Sequence, residues 1–146
     1  MTKPNPDRMR YAKVVISLLL AGVFIYAGLD KIRNPLEFAD SVTGFGILPQ
    51  GLVSPFALGL PTFEVLCGLL ILVSRSRRVA ALALMLITAM FFMALASALF
   101  RGLTLDCGCF GAGAPSRTRM GWEAALDVVL FGASLLVYLQ SRERPA

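Results

Sequence analysis

The chain has 146 residues, of which 57% are hydrophobic and only 16% are charged. A water-soluble domain carries about a quarter charged residues, so this composition excludes an ordinary soluble domain and indicates a membrane protein. The net charge of +5 comes from basic residues at the ends of apolar spans. Their expected partners are therefore lipid headgroups and not nucleic acid. The chain contains no histidine, which removes the commonest proton carrier and the commonest metal ligand together.

Four apolar spans follow one another along the chain, each suited to crossing about 30 Å of hydrocarbon as a helix. The predicted helices cover about residues 14–29, 52–73, 79–100 and 123–139. The first follows a basic arm, as in a signal peptide, but no small-x-small cleavage site follows it, so we expect it to be retained. The sequence therefore predicts an all-α membrane protein, with one four-helix transmembrane bundle as the single domain of residues 1–146. Residues 30–51 suggest an amphipathic segment on the rim of this bundle.

The positions of the basic residues predict the orientation of the bundle. Nine of the 14 Lys and Arg residues lie in the N-terminal arm, the loop at residues 75–78 and the C-terminal tail. The other five are spread over the two loops on the opposite side. Because basic residues accumulate on the cytoplasmic side, both termini are predicted to be cytoplasmic and the protein to lie in the inner membrane. The loop between the third and fourth predicted helices is then extracytoplasmic.

That loop contains the most distinctive motif of the chain, a pair of cysteines separated by one glycine: Asp106-Cys107-Gly108-Cys109-Phe110-Gly111. A disulfide between Cys107 and Cys109 closes a very small ring, and Gly108 can adopt the strained backbone angles that this ring needs. A strained disulfide is easily reduced, so the spacing favours a redox-active disulfide over a permanent crosslink. The residues that shape this loop are those beside the two cysteines: Asp106, Gly108, Phe110 and Gly111.

Other interpretations of the same two sulfur atoms remain open. They could bind a soft ion such as Cu(I), although two thiolates without histidine make only a two-coordinate site, and we assign no resident metal. They could also link to another chain or have no function. The third cysteine, Cys67, lies too deep in the second predicted helix for the loop to reach, and is expected to be a small core residue.

Three charged residues inside or beside the spans are candidates for charge stabilisation and proton transfer. Glu64, in the second predicted helix, costs a few kcal/mol in hydrocarbon, so it either handles protons, anchors a quinone or makes a structural hydrogen bond. Asp127 lies one turn into the fourth predicted helix and is expected to reach water at the outer rim, paired with Lys31 or Arg101. Lys31 either stabilises a thiolate or a reduced quinone, or extends its amine to the interface beside Asp30.

Several stretches resemble the DoxX-like superfamily of membrane proteins: Tyr26–Lys31 with Pro35, then Gly46–Pro49, then Pro61–Leu66 with Gly68–Leu70. The cysteine motif narrows this resemblance to the MauE branch, the methylamine utilisation membrane proteins. The similarity extends from Val14 to about Leu139. It implies a four-helix membrane protein that handles disulfides outside the cytoplasm with a thioredoxin-like partner. The implied client is the disulfide-rich small subunit of methylamine dehydrogenase.

The arrangement is also similar in concept to vitamin K epoxide reductases and bacterial membrane disulfide oxidases, in which a four-helix bundle couples thiols to quinone. This chain lacks their second cysteine pair. The hypothesis is therefore a membrane thiol–disulfide oxidoreductase that uses Cys107 and Cys109 and passes electrons to a quinone. Lys31, Glu64 and Asp127 would stabilise charge and move protons. The alternatives are a soft-metal carrier that uses the same cysteines and a non-catalytic assembly factor for methylamine dehydrogenase.

Overall fold

The computed structural model describes residues 5–105, 114 and 116–142 of the chain. Within these residues the secondary structure is entirely helical, with five helices: α1 Pro6–Arg33, α2 Pro35–Phe45, α3 Gln50–Leu70, α4 Arg77–Phe100 and α5 Arg117–Arg142. All except α2 are long and apolar enough to cross a membrane. The predicted all-helical class and the four spans are thus confirmed, and the protein is a multi-pass membrane protein.

Two of the long helices, α1 and α5, extend beyond both ends of their predicted apolar spans, whereas α4 ends at Phe100 as predicted and α3 ends at Leu70, before the predicted end at residue 73. The first predicted span, residues 14–29, lies within an observed helix of 28 residues. At the start of that helix the side chain of Asn5 accepts a hydrogen bond from the backbone N–H of Asp7, and Pro6 occupies a first-turn position that needs no N–H donor. In α1 and α5 the backbone hydrogen bonds continue into the polar turns beyond the apolar side chains, and hydropathy alone does not mark those turns.

The short helix α2 lies in the connection for which the sequence suggested an amphipathic rim segment. Pro35 stands in its first turn, and Gly46, with a φ of 64°, ends it in the left-handed conformation that favours glycine. Its apolar face is buried against the first half of α3, where Phe38 and Val42 belong to one core cluster with Val53 and Ala57 of α3. α2 therefore covers the end of α3 that extends past the end of α1.

The long helices associate mainly as two pairs, α1 with α3 and α4 with α5. The approach of α1 to α3 is close at Gly28, where an added Cβ would lie 2.9 Å from the carbonyl oxygen of Pro61 and 2.6 Å from a methyl group of Val65. A second close approach puts Gly68 of α3 against Ile25 of α1. The two glycines set an antiparallel register, and this register brings the last turn of α1 beside Glu64.

The largest core cluster joins α1, α3, α4 and α5 through residues such as Leu20, Phe24, Leu84 and Val137. Cys67 is buried in this cluster, which confirms the prediction that it is a core residue. Many large apolar side chains on the outer faces are exposed in the isolated chain. A bilayer would cover these faces, as expected for helices that are hydrophobic on both their inner and outer sides.

Candidate functional site

A buried ion pair lies at the centre of the candidate site. Lys31, in the last turn of α1, places its Nζ atom 2.9 Å from Oε2 and 3.1 Å from Oε1 of Glu64 in α3. Lys31 is 3% exposed and Glu64 is 1% exposed. The alternative in which Lys31 extends its amine to the interface beside Asp30 is therefore wrong. The register of α1 on α3 holds the amine inside the bundle, where both carboxylate oxygens of Glu64 accept its hydrogen bonds.

Two aromatic rings also face the Lys31 amine. Its Nζ atom lies 5.4 Å from the ring centroid of Phe38 in α2 and 4.8 Å from that of Phe91 in α4. Ring faces attract cations, and the attraction is strongest where water is excluded. Lys31 thus connects α1 to α2, α3 and α4. Neither phenylalanine could be identified from the sequence, because cation–aromatic contacts between distant helices have no characteristic spacing along the chain.

Asp127 of α5 joins the ion pair at a small cavity. The volume that the centre of a water molecule can reach there is about 20 Å³, and Lys31, Glu64, Thr88 and Asp127 are the polar residues that line it. The three predicted charged residues are therefore brought together around one space. Asp127 is 5% exposed, so the expectation that it reaches water at the rim is wrong. Residues of α1, α3 and α4 line the cavity with Asp127 and enclose its carboxyl group.

The size of the cavity decides which ligands it can hold. A cavity of this volume accommodates about one water molecule. Sites for small organic ligands have volumes of about 300–1,000 Å³. A quinone ring therefore does not fit between Lys31, Glu64 and Asp127 in this arrangement of the helices.

A second carboxyl group, which was not among the residues predicted from the sequence, lies one turn from Asp127 on the same face of α5. Glu123 is 3% exposed, and its Oε1 atom is 3.3 Å from Nε of Arg119. Its Oε2 atom is buried and has no hydrogen-bond partner in the part of the chain that the structure describes. Glu123 could have been identified from the four-residue spacing of Arg119, Glu123 and Asp127, because this spacing puts charged groups on one face of an apolar helix.

The cysteine motif lies outside the described residues, as do its predicted loop-shaping residues: Asp106, Cys107, Gly108, Cys109, Phe110 and Gly111. The described chain leading to it is held against two other helices. The backbone N–H of Leu105 donates a hydrogen bond of 3.3 Å to Sδ of Met120 in α5, and the Leu105 side chain lies against Gly44 of α2. The guanidinium of Arg101 donates to the carbonyl oxygen of Phe45. The segment therefore leaves the described bundle at its α2 end, where the last turn of α1 also lies.

Comparisons with known proteins agree with the resemblance stated above. The family described as "Methylamine utilisation protein MauE" matches residues 9–140. The chain is 34% identical over 135 residues to the methylamine utilization protein MauE of Methylophilus methylotrophus, covering 91% of this chain and 68% of that one. It is 30% identical over 139 residues to the corresponding protein of Methylorubrum extorquens, covering 91% and 72%. No solved structure matches the chain. The chain therefore belongs to the MauE family of methylamine utilisation proteins.

Proposed function

We propose that this protein is a membrane thiol–disulfide oxidoreductase that exchanges disulfides with a thioredoxin-like partner through Cys107 and Cys109. The observation that carries the proposal is the spacing of these two cysteines, with one glycine between them. A ring that small is strained and readily reduced. Membership of the MauE family supports a place in methylamine utilisation, with the small subunit of methylamine dehydrogenase as the proposed client.

The proposed exchange proceeds through a mixed disulfide. A thiolate of the reduced partner attacks the Cys107–Cys109 disulfide, which forms a new intermolecular S–S bond and releases one cysteine as a thiolate. The partner's second thiolate then attacks the mixed disulfide and leaves the partner oxidised. Cys107 and Cys109 are now a dithiol that holds the two electrons. Re-forming their disulfide passes two electrons to an acceptor and releases two protons.

The proposed acceptor is a membrane quinone, which becomes a quinol when it takes up two electrons and two protons. Because its ring does not fit the cavity, we assign Lys31, Glu64 and Asp127 no contact with it. Their proposed role is to hold compensating charge and to move protons. Buried ionisable residues in membrane spans commonly mark such proton-handling sites. The ion pair lies at the same end of the bundle as the chain segment that leads to the cysteines, which supports this role.

The side of the membrane is also part of the proposal. We place the protein in the inner membrane with the cysteine motif outside the cytoplasm, on the grounds of the basic-residue distribution and of the compartments in which disulfides persist. Labelling intact cells with a membrane-impermeant thiol reagent tests this placement. A single-cysteine variant with only Cys109 should be labelled without cell lysis. Labelling only after lysis would contradict the proposed orientation.

The central experiment follows the oxidation of a reduced thioredoxin-fold protein by the purified protein in lipid nanodiscs with added quinone. Cys107→Ser and Cys109→Ser should each abolish turnover, and one of the two should accumulate a mixed disulfide. Cys67→Ala is the matched control, since that thiol is buried in the core and should be dispensable. Full turnover in both serine variants would contradict the proposal.

The same preparations distinguish the alternatives. Stoichiometric binding of Cu(I) without any thiol turnover would indicate a soft-metal carrier. Maturation of methylamine dehydrogenase by a variant that lacks both cysteines would indicate a non-catalytic assembly factor.

A further inference from the structure

One face of α5 is unusually polar for a helix that spans the membrane. Arg119, Glu123 and Asp127 follow one another at four-residue intervals, and both carboxyl groups are buried. Residues four apart on a helix are neighbours, with about 5–6 Å between their Cβ atoms. Arg119 is half-buried and Glu123 binds it, whereas Asp127 lines the cavity. The face therefore leads from the start of α5 to the Lys31–Glu64 pair.

The second oxygen of Glu123 indicates that this face does more than hold helices together. A buried acceptor without a hydrogen bond costs about 1–3 kcal/mol, and more when it carries charge. The Oε2 atom of Glu123 has no partner within the described residues, although Oε1 is bonded to Arg119. A structural salt bridge would need only the bonded oxygen. The second oxygen therefore keeps its capacity to accept a hydrogen bond or a proton.

The cavity supplies the next step along this path. Its volume of about 20 Å³ is enough for one water molecule, which needs two to four polar partners. Glu64 and Asp127 offer carboxylate oxygens as acceptors. The hydroxyl of Thr88 already donates to the carbonyl oxygens of Leu84 and Met85, at 2.9 and 3.0 Å, so its lone pairs can accept from the water.

We propose that Glu123, Asp127 and one water molecule in the cavity form a proton relay between the Arg119 end of α5 and the Lys31–Glu64 pair. Glu123 takes up a proton at Oε2 from water beside Arg119 and passes it to Asp127 across one helical turn. Asp127 gives the proton to the cavity water, which passes one on to the Lys31–Glu64 pair, so that the water and both carboxyl groups of α5 return to their starting forms. The relay rests on the proposed function, since the oxidation of each dithiol releases two protons at the cysteine end of the bundle and the reduction of each quinone takes up two.

The test compares Glu123→Gln with Glu37→Gln, which makes the same chemical change on the exposed side of α2. Both are measured in nanodiscs, as the rate of mixed-disulfide formation and as the turnover of the complete reaction. Glu123→Gln should leave mixed-disulfide formation unchanged and slow turnover by about 10²-fold, the scale of a lost proton-transfer group. Glu37→Gln should match the unmodified protein in both measurements.

Two further measurements separate a relay from a structural role. Formate or azide, small weak acids that carry protons, should restore turnover in Glu123→Gln. Glu123→Asp keeps a carboxyl group and should retain more turnover than Glu123→Gln. If Glu123→Gln turns over like Glu37→Gln, or if neither the weak acids nor Glu123→Asp restores activity, the relay is overturned.

These outcomes differ from a failure of the proposed function. Full turnover in Cys107→Ser would overturn the thiol chemistry itself. Loss of turnover in Cys107→Ser together with unchanged turnover in Glu123→Gln would overturn the relay alone.

Discussion

Removing the amine of Lys31 should destabilise the bundle more than any other single change at the candidate site. Lys31→Met keeps most of the length of the side chain but leaves Glu64, which is 1% exposed, without its hydrogen bonds of 2.9 and 3.1 Å. Hydrogen bonds to charged groups contribute about 1.5–3 kcal/mol each. The loss of one partner from a buried ion pair costs about 3–5 kcal/mol in measured cases. Two such bonds therefore place the expected loss near the upper end, at about 5 kcal/mol.

The partner residue should be less sensitive. Glu64→Leu leaves Lys31 with Asp127 at the same cavity and with the rings of Phe38 and Phe91. A desolvated contact between an amine and a ring contributes about 2 kcal/mol. We therefore expect Glu64→Leu to cost about 1–2 kcal/mol less than Lys31→Met. The Lys31 amine keeps its contacts with the two rings when Glu64 is replaced, whereas Glu64 loses both hydrogen bonds when the amine is removed.

The double variant Lys31→Met/Glu64→Leu removes both charges and should recover most of the lost stability. Replacing a buried ion pair by apolar residues of similar volume is often neutral or stabilising. The assay is reversible unfolding of each variant in detergent micelles, followed by helical circular dichroism. Arg33→Gln is the control, because it removes an exposed cation from the same turn of α1. A loss of less than about 1 kcal/mol in Lys31→Met, or a double variant that loses the sum of the two singles, would refute the reasoning.

Three further predictions concern how the site is held in place. Gly28→Ala should lower the free energy of unfolding by about 1–3 kcal/mol, because the new Cβ would lie 2.9 Å from a backbone oxygen of α3. Gly22→Ala on the same helix is the control, because its Cβ would meet nothing within 4 Å and should cause no loss of stability. Unfolding in micelles measures both variants, and equal effects would contradict the close-approach argument. Arg101→Gln removes the donor to the carbonyl oxygen of Phe45, so amide hydrogen exchange should accelerate in the last turn of α2; unchanged exchange would show that packing alone holds this turn. Thr88→Val should change the unfolding free energy by only about 1 kcal/mol, since the hydroxyl bonds only to carbonyls of its own helix in the described structure, and a loss of several kcal/mol would contradict this.

The sequence identified the charged residues of the site but not their relationships. Glu64 stands out because it is a carboxyl group in an apolar span, and that argument needs no structure. Its partner depends on the register of α1 on α3, which Gly28 and Gly68 set through close backbone approach. A glycine is too common in membrane helices for that role to be recognised from the chain alone. The alternative in which Lys31 extends its amine to the interface is wrong because this register holds the amine inside the bundle.

Asp127 is a second residue that the sequence identified but whose surroundings only the structure showed. Its position one turn into a predicted helix indicated access to water, whereas the observed α5 begins at Arg117 and carries it deeper into the bundle. Glu123 was overlooked because it stood at the first residue of the predicted span. The observed α5 begins six residues earlier, at Arg117, so Glu123 lies inside the helix, where it is buried.

The sequence by itself determined the all-helical class, the four membrane spans, the MauE resemblance and the identity of the three charged candidates. These follow from composition, from runs of apolar residues and from local motifs, which are properties of neighbours along the chain. Only the tertiary structure decided that Lys31, Glu64 and Asp127 share one cavity, that two rings face the amine and that the space between the three residues is about the size of one water molecule. Each of these depends on how closely helices distant in sequence approach one another, and that distance is set by packing across the whole bundle.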